Sequence, residues 1–458
     1  MRVAIVGAGM AGLSAAVDLL DAGAAVVLVD AAPRAGGKVV TERVDGFTIE
    51  HGPDSFVSYR PAAAELAGRF GLGEQIISVT EPRVVHLRSA DQMVPLPEGM
   101  GLVLPTRLGP FVRTRLFTWP QKLRAGLDLV LPRHLGDDDI AIGRFLRHRL
   151  GPAVIERLAD PLIGGIYGTS IEELSLDSVL PMLRSYERDS RSLILASLRS
   201  GRAARAGGGG SPFRTLRGGL GDLVDAVTAH LRAQSGYQER LGVAAEEAST
   251  GGSASHLRLA SGEVVDCDAI IFATPAPVTA RLVAGELPDA AAALRTIPHT
   301  STAVVTLGYP PDAFSSPPIG HGFLDAGSGS ASSGCTITSG KWASRAPEGS
   351  VLIRSFLPER SLALQRRSDA EVFAVVERDV SEAFGTRSEP CVRRIARWAD
   401  RMPKYVVGHQ DRLAAIDAAI SVRPQWQLAG ASYRGVGLPD VVTSGKAAAA
   451  AVVADALR

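Results

Sequence analysis

The sequence predicts an α/β fold around a nucleotide-binding core, on three observations. Val3 to Val6 is a β-branched run leading into the turn GAGMAG, a stretch with helical apolar spacing, and a second apolar run, Val26 to Val29, that ends in Asp30. Together these read as a βαβ unit. A further glycine pair, Gly36 and Gly37, follows directly, flanked by Arg34 and Lys38. At the other end of the chain Gln427 to Ala429 reads as a strand running into glycines, with Pro439 suited to the first turn of an Ala-rich helix. A core drawn from both ends implies that the remaining elements are inserted in its middle.

Each element has a physical reason. Gly7, Gly9 and Gly12 stand at G-x-G-x-x-G spacing with Ala8, Met10 and Ala11 between them. The first glycine permits a tight turn, the second lets backbone approach a pyrophosphate, and the third lets helix and strand pack closely. Free N–H groups at the helix start then face phosphate charge. Asp30, followed by Ala31, ends the second strand, where a carboxylate accepts hydrogen bonds from a ribose. Gly36 and Gly37 bring backbone close to a ligand already seated on the first turn. The first fingerprint alone leaves NAD and FAD both open.

The chain has 458 residues, 46% of them hydrophobic, enough for two or three domains with ample core. Lys plus Arg (49) nearly balances Asp plus Glu (48), so composition offers no general attraction to nucleic acid, and none is expected as a partner. Cys267, Cys335 and Cys391 stand far apart without C-x-x-C spacing. That indicates neither a disulfide framework nor a zinc site, suits a reducing compartment, and leaves no metal expected. Asp18 and Asp21 interrupt the first apolar run, which makes a secretory signal a poor reading. Uncharged apolar stretches fall short of the roughly 18 residues of a spanning helix. The expectation is a cytoplasmic protein, at most peripheral at the inner face of the cell membrane.

The run D-x-x-x-R-x-G-G-K at 30–38 resembles the second motif of the FAD-dependent amine oxidase and protoporphyrinogen oxidase superfamily, with Asp30 where most members carry Glu. Seven further stretches resemble one narrow group within it, the oxygen-dependent protoporphyrinogen IX and coproporphyrinogen III oxidases. They are HGPDSF at 51–56, LPTRLGPFVRTRLFTWPQKLRAGLDLVLPR at 104–133, DPLIGGIYGTSIEELSLDSVLP at 160–181, FRTLRGGLGDLVDAV at 213–227, KWASRAPEGSVLIR at 341–354, RWADRMPKYVVGH at 397–409 and GASYRGVGLPD at 430–440. The resemblance covers nearly the whole chain, and the GPDS form at 52–55 resembles the coproporphyrinogen III oxidases of monoderm bacteria.

That resemblance implies a discontinuous Rossmann-like FAD-binding domain from residues 1–82, 212–280 and 421–458, a helical domain at 83–205, and an inserted α+β substrate-binding domain at 281–420. Within this plan RSGRAARAGGGGS at 199–211 reads as a solvated loop. The segment 96–133 mixes Arg, Lys, Trp and Phe with apolar residues and admits two readings: helices lying on an anionic membrane surface, or a core-packed helical unit with a basic face.

The implied activity is the six-electron oxidation of coproporphyrinogen III to coproporphyrin III in haem biosynthesis, with O2 as acceptor and H2O2 as product. Oxidation of protoporphyrinogen IX is the alternative; a flavin amine oxidase, a carotenoid desaturase or a porphyrin carrier are more distant ones. The implied cofactor is non-covalent FAD, in preference to a tether through His51. Its contacts would be Gly7 to Gly12, Asp30, Ala31, Lys38, the turn Gly52-Pro53-Asp54-Ser55, Val243, Trp398, and Val436, Gly437 and Leu438. The closing helix would aim its N-terminus at the flavin edge that gains negative charge on reduction. Arg60, Ile166 and Tyr167 would face the substrate, Arg60 gripping a propionate. Hydride removal from a bridge carbon needs little acid–base machinery, so no catalytic side chain is expected beyond aid from Asp54. The substrate, O2 and a downstream haem-pathway enzyme complete the implied partners.

Overall fold

A computed structural model describes residues 1–89, 92–206, 211–252 and 254–457. At its centre is a five-stranded parallel sheet in the spatial order Tyr237–Leu241, Ala25–Asp30, Arg2–Val6, Ala269–Phe272, Trp426–Leu428. The inner strands are apolar on both faces, as parallel strands covered on both sides must be. Val3, Ala4, Ile5 and Ile270, Ile271, Phe272 are wholly buried. On one face lie the first helix, Met10–Asp21, and the closing helix, Leu438–Ala456. These two touch closely: the Ser14 hydroxyl donates to the Val442 carbonyl at 3.1 Å.

The other face is covered by a three-stranded antiparallel sheet from Ala245 to Cys267 and by the helices Ala276–Leu282, Pro288–Arg295 and His409–Ile420. Trp426 packs edge-on against Phe272 with ring centroids 5.5 Å apart. Its indole N–H, which needs a partner when buried, donates to Ser255 Oγ at 3.0 Å.

A second sheet has seven strands in the order Val392–Pro403, His299–Tyr309, Val351–Leu357, Gly334–Ile337, Gly322–Asp325, His86–Ser89, Gln92–Pro95. The last two correct the sequence reading, which placed 83–205 in a helical unit. His86–Ser89 pairs in parallel with Gly322–Asp325, so this segment takes its structure from a partner more than two hundred residues away rather than from local propensity.

Helices dominate from Leu108 to Ala206, around a core that includes Phe145, Leu146, Leu158 and Leu174. A buried ion cluster ties them together. Arg149 Nε donates to Asp128 Oδ1 at 2.6 Å and Nη1 to Glu187 Oε1 at 3.4 Å, and all three side chains are almost completely buried. Residues Ile155–Gly164 form a π-helical run, a geometry that recurs at functional sites, followed by the turn Gly165–Tyr167. The expected loop at 199–211 is also corrected: helix Leu193–Ala206 continues through its first part, because its leading half packs Leu193, Ile194 and Ala196 into the core. Residues 207–210 of that stretch lie outside the described residues. Among the described residues no helix is long and apolar enough to cross a membrane.

Candidate functional site

The glycine turn is built as its spacing requires. A side chain at Gly12 would place its Cβ 1.9 Å from the Gly7 carbonyl oxygen, so helix and turn meet only through glycine. Asp30 braces the same turn: its carboxylate accepts from Ala8 N at 2.7 Å and from Ala32 N at 2.8 Å. The Gly36 N–H donates to the Ala8 carbonyl at 2.8 Å, stitching the second glycine pair to the first turn. In front of Gly9 the space is open, since a Cβ there would meet no atom within 4 Å. The first N–H groups of helix Met10–Asp21 have no acceptor within the helix. Lys38 reaches across to the Arg401 carbonyl; burial, and then the nearby Arg401 charge, push its pKa down to about 8. Open space, free N–H groups and a nearby cation are what a dinucleotide's pyrophosphate fits. Val243 stands beside this turn, its N–H donating to the Asp30 carbonyl at 3.1 Å while its side chain joins the core.

The second part of the site is the turn at 52–55. A Cβ at Gly52 would fall 1.9 Å from the Lys38 carbonyl oxygen, so the turn presses on the first motif. Arg354, wholly buried in the seven-stranded sheet, donates to the Gly52 carbonyl at 2.5 Å. The indole N–H of half-buried Trp398 donates to the His51 carbonyl at 2.9 Å, so this residue is more than core filling. The His51 ring is itself engaged, with Nε2 2.8 Å from Glu42 Oε2.

Asp54 sits among cations. Its Oδ2 accepts from Lys341 Nζ at 2.9 Å and Trp342 Nε1 at 3.2 Å, and lies 3.6 Å from Arg354 Nη1; Ser55 Oγ donates to Oδ1 at 2.8 Å. Burial alone would raise the Asp54 pKa, but Lys341 and Arg354 outweigh it and hold the carboxyl well below its ordinary range. Beneath this group lie Glu50 and Arg345, both fully buried, with Arg345 donating to Thr215 Oγ1 at 3.1 Å and to the Leu216 carbonyl at 3.0 Å.

The third part is the segment entering the closing helix. The Tyr405 hydroxyl donates to the Ala431 carbonyl at 2.7 Å and accepts from Gly435 N at 2.8 Å. Its ring stacks on His409 at 4.0 Å, and His409 Nε2 donates to the Tyr433 carbonyl at 2.8 Å. These contacts fix the path to Val436, Gly437 and Leu438 at the helix start. Sequence reasoning singled out none of Lys341, Trp342, Arg345, Arg354, Tyr405 or His409, although all six fall in stretches that carried the resemblance.

The residues expected to face substrate gather beside the first turn of the closing helix. Arg60 is exposed and pairs with Asp440, in the first turn of the closing helix. The two border a cleft of about 360 Å³ lined also by Tyr59, Glu65, Thr443 and Lys446. Tyr167 shares this neighbourhood: burial, then the Asp440 charge, push its hydroxyl up to about 12. Ile166, next to it, is 56% exposed, a wall residue open to solvent.

Fold and site together define a flavin-dependent oxidoreductase, with a nucleotide turn at one end and a second sheet closing over a charged turn. The chain belongs to the flavin containing amine oxidoreductase family, whose model matches residues 10–453, and within it to the coproporphyrinogen III oxidases. It is 44% identical to coproporphyrinogen III oxidase of Propionibacterium freudenreichii, the match covering 100% of this chain and 91% of that one. It is 34% identical to the Bacillus subtilis coproporphyrinogen III oxidase over 100% and 98% of the two chains. A crystal structure assigned as a protoporphyrinogen oxidase, from Exiguobacterium sp., superposes with a TM-score of 0.87 at 30% identity over 99% of each chain. Family membership implies a flavin cofactor.

Proposed function

We propose that this protein oxidises coproporphyrinogen III to coproporphyrin III, using non-covalently bound FAD and O2 and releasing H2O2, as a step of haem biosynthesis. The observation that carries the proposal is the full-length kinship with proteins named coproporphyrinogen III oxidase, 44% identical in one case. The glycine turn at 7–12 would receive the FAD pyrophosphate, Asp30 would offer its remaining lone pairs to the ribose, and Lys38 would neutralise phosphate. The turn at 52–55, Val243, Trp398 and residues 436–438 would hold the ring system. The engagement of His51 by Glu42 supports a cofactor without a covalent tether.

When bound, FAD supplies a hydride acceptor at N5 and a route for the electrons to O2. The rest falls to the chain. A porphyrinogen has four pyrroles joined by saturated bridges, and hydride loss from a bridge carbon leaves a cation that the neighbouring pyrrole nitrogen stabilises and then resolves by losing its proton. Three such rounds remove six electrons, matched by reduction of three O2 to three H2O2. The protein must therefore hold the macrocycle by its carboxylates, press one bridge carbon to the reacting position and exclude water; positioning of this kind lowers a barrier by several kcal/mol. Arg60 and Tyr167 would hold and wall the macrocycle. Asp54, kept ionised by Lys341 and Arg354, would accept a pyrrole N–H rather than give a proton.

The GPDS turn and Arg60 favour coproporphyrinogen over protoporphyrinogen, since four carboxylates reward cationic contacts more than two. Steady-state kcat/KM for the two porphyrinogens tests this: the expected result is a clear preference for coproporphyrinogen III, and a preference for protoporphyrinogen IX would reverse the assignment. Activity on amines alone would replace both.

We read residues 1–82, 212–280 and 421–458 as the FAD-binding domain and 281–420 as the substrate-binding domain, with strands 86–95 added to the latter and the helices beyond them forming a third. We further infer peripheral membrane contact at the inner face. Trp119, Leu123, Leu127 and Val130 are all exposed, at spacings of four, four and three that align them on one side, while Phe111, Leu116, Phe117 and Ala125 are buried. Lys122 stands over the Trp119 ring at 4.9 Å, and Arg113 and Arg115 precede it. Apolar stripes with basic neighbours bind anionic bilayers. Co-sedimentation with phosphatidylglycerol but not phosphatidylcholine vesicles, lost on Trp119→Glu, is the expected result; equal recovery in the supernatant with both would overturn it.

A further inference from the structure

We propose that Asp440 is a specificity-determining residue: it holds Arg60 in an ion pair at the mouth of the cleft, and only a substrate arm ending in a carboxylate takes the guanidinium from it. The proposal rests on the reading of Arg60 as a carboxylate contact and adds to it a competitor already present in the protein.

Four observations carry it. Arg60 Nη1 contacts Asp440 Oδ1, with the Arg60 side chain 53% exposed and that of Asp440 16%. The pair is therefore solvent-screened and weak, and its exchange for a second carboxylate costs little. The cleft beside it carries two cations, Arg60 and Lys446, and two carboxylates, Asp440 and Glu65. These charges balance, so an incoming carboxylate is held by Arg60 itself rather than by a general positive field. Asp440 occupies the first turn of helix Leu438–Ala456, where free N–H groups and the helix dipole stabilise a carboxylate, so it retains a favourable setting when Arg60 leaves. Finally, the Asp440 and Arg60 charges both act on the Tyr167 hydroxyl, so the pair lies near the expected macrocycle wall.

The consequence is discrimination by charge. An arm with a carboxylate forms a bidentate contact with Arg60, which a planar guanidinium favours. An apolar arm of similar size gains nothing there and leaves the pair closed. Arg60 thus makes the cleft respond to carboxylates on the ring, and Asp440, by competing for the same guanidinium, sets how strongly it does so.

The test is a double-mutant cycle of Arg60→Gln and Asp440→Asn, read by fluorescence titration with coproporphyrin III and protoporphyrin IX, and by KM and kcat with the two porphyrinogens. Asp440→Asn should tighten coproporphyrin binding and lower KM for coproporphyrinogen about two- to fivefold, the range set by an exposed ion pair. It should leave kcat and protoporphyrin binding unchanged and have no effect in the Arg60→Gln background. Weaker or unchanged binding of both porphyrins in Asp440→Asn, additive with Arg60→Gln, would reduce Asp440 to a helix-cap residue and overturn the proposal. Failure of the wild-type protein to bind coproporphyrin III at all would instead sink the underlying reading of Arg60.

Discussion

The Asp54 carboxylate accepts a hydrogen bond from the Lys341 ammonium at 2.9 Å across a sequence separation of 287 residues. This contact joins the turn at 52–55 to the seven-stranded sheet, with Arg354 closing it from beneath. Removing the negative charge leaves Lys341 and Arg354 without their counter-ion in a place water barely reaches. Asp54→Asn should therefore destabilise the protein by about 3–5 kcal/mol, the cost of breaking a buried ion pair from one side, measured by denaturant unfolding.

The same group sets an acid limit. Its folded pKa lies below the unfolded value of about 3.9, so its stabilisation is present above that pH and is lost as pH falls through the folded value. Thermal melts of the wild type should decline below about pH 4, and Asp54→Asn, already lower, should decline less over the same interval. Parallel curves would show that Asp54 is not a source of the acid sensitivity.

Arg149 supplies a second stability test, remote from the site. It is enclosed with Asp128 and Glu187 and also donates to the carbonyls of Pro132 and Arg191 at 2.7 and 2.6 Å. Arg149→Met leaves two buried carboxylates facing each other and should cost about 3–5 kcal/mol. Flavin content of the folded fraction should be unchanged.

Lys38 predicts a pH dependence of cofactor binding. Its folded pKa of about 8 is below the ordinary lysine value of about 10.4. Between those two values the unfolded chain holds more protons, so stability without flavin rises with pH in that window. A phosphate beside Lys38 favours the protonated form, and FAD affinity should fall as pH rises through about 8. Flavin-fluorescence titration of the apoprotein checks this; Lys38→Met should bind more weakly at neutral pH and show a flatter profile.

Tyr405→Phe keeps the stack on His409 and removes two hydrogen bonds to the segment at 431–435. The expected loss is about 1–3 kcal/mol, at roughly 1 kcal/mol per bond with a further cost for groups left unpaired. A shifted visible flavin spectrum and a lower kcat should accompany it. Tyr309→Phe, which removes a buried ring hydroxyl in the other sheet, should leave the flavin spectrum as it is.

What could be read in advance follows the range of the interactions. Gly7, Gly9, Gly12 and Asp30 lie within one βαβ unit, where spacing along the chain fixes spacing in space, and Gly12 is held to glycine by a contact only five residues away. The strands at 86–95 were misassigned because their alternation is weak and their partner is the distant segment at 322–325. Lys341, Trp342 and Arg354 bracketed one quoted stretch, yet nothing in its spacing says that it folds onto Asp54. Arg60 was singled out as a carboxylate contact, but its resident partner Asp440 is 380 residues away, and no local pattern connects them.

The most direct test of the central claim is to mix the purified protein anaerobically with coproporphyrinogen III and follow the visible flavin band, then admit air. Substrate should bleach the band, O2 should restore it, and porphyrin fluorescence should rise well above the autoxidation blank with one H2O2 for each two electrons removed. A flavin band that coproporphyrinogen III leaves unbleached, with fluorescence no faster than the blank, would contradict the claim.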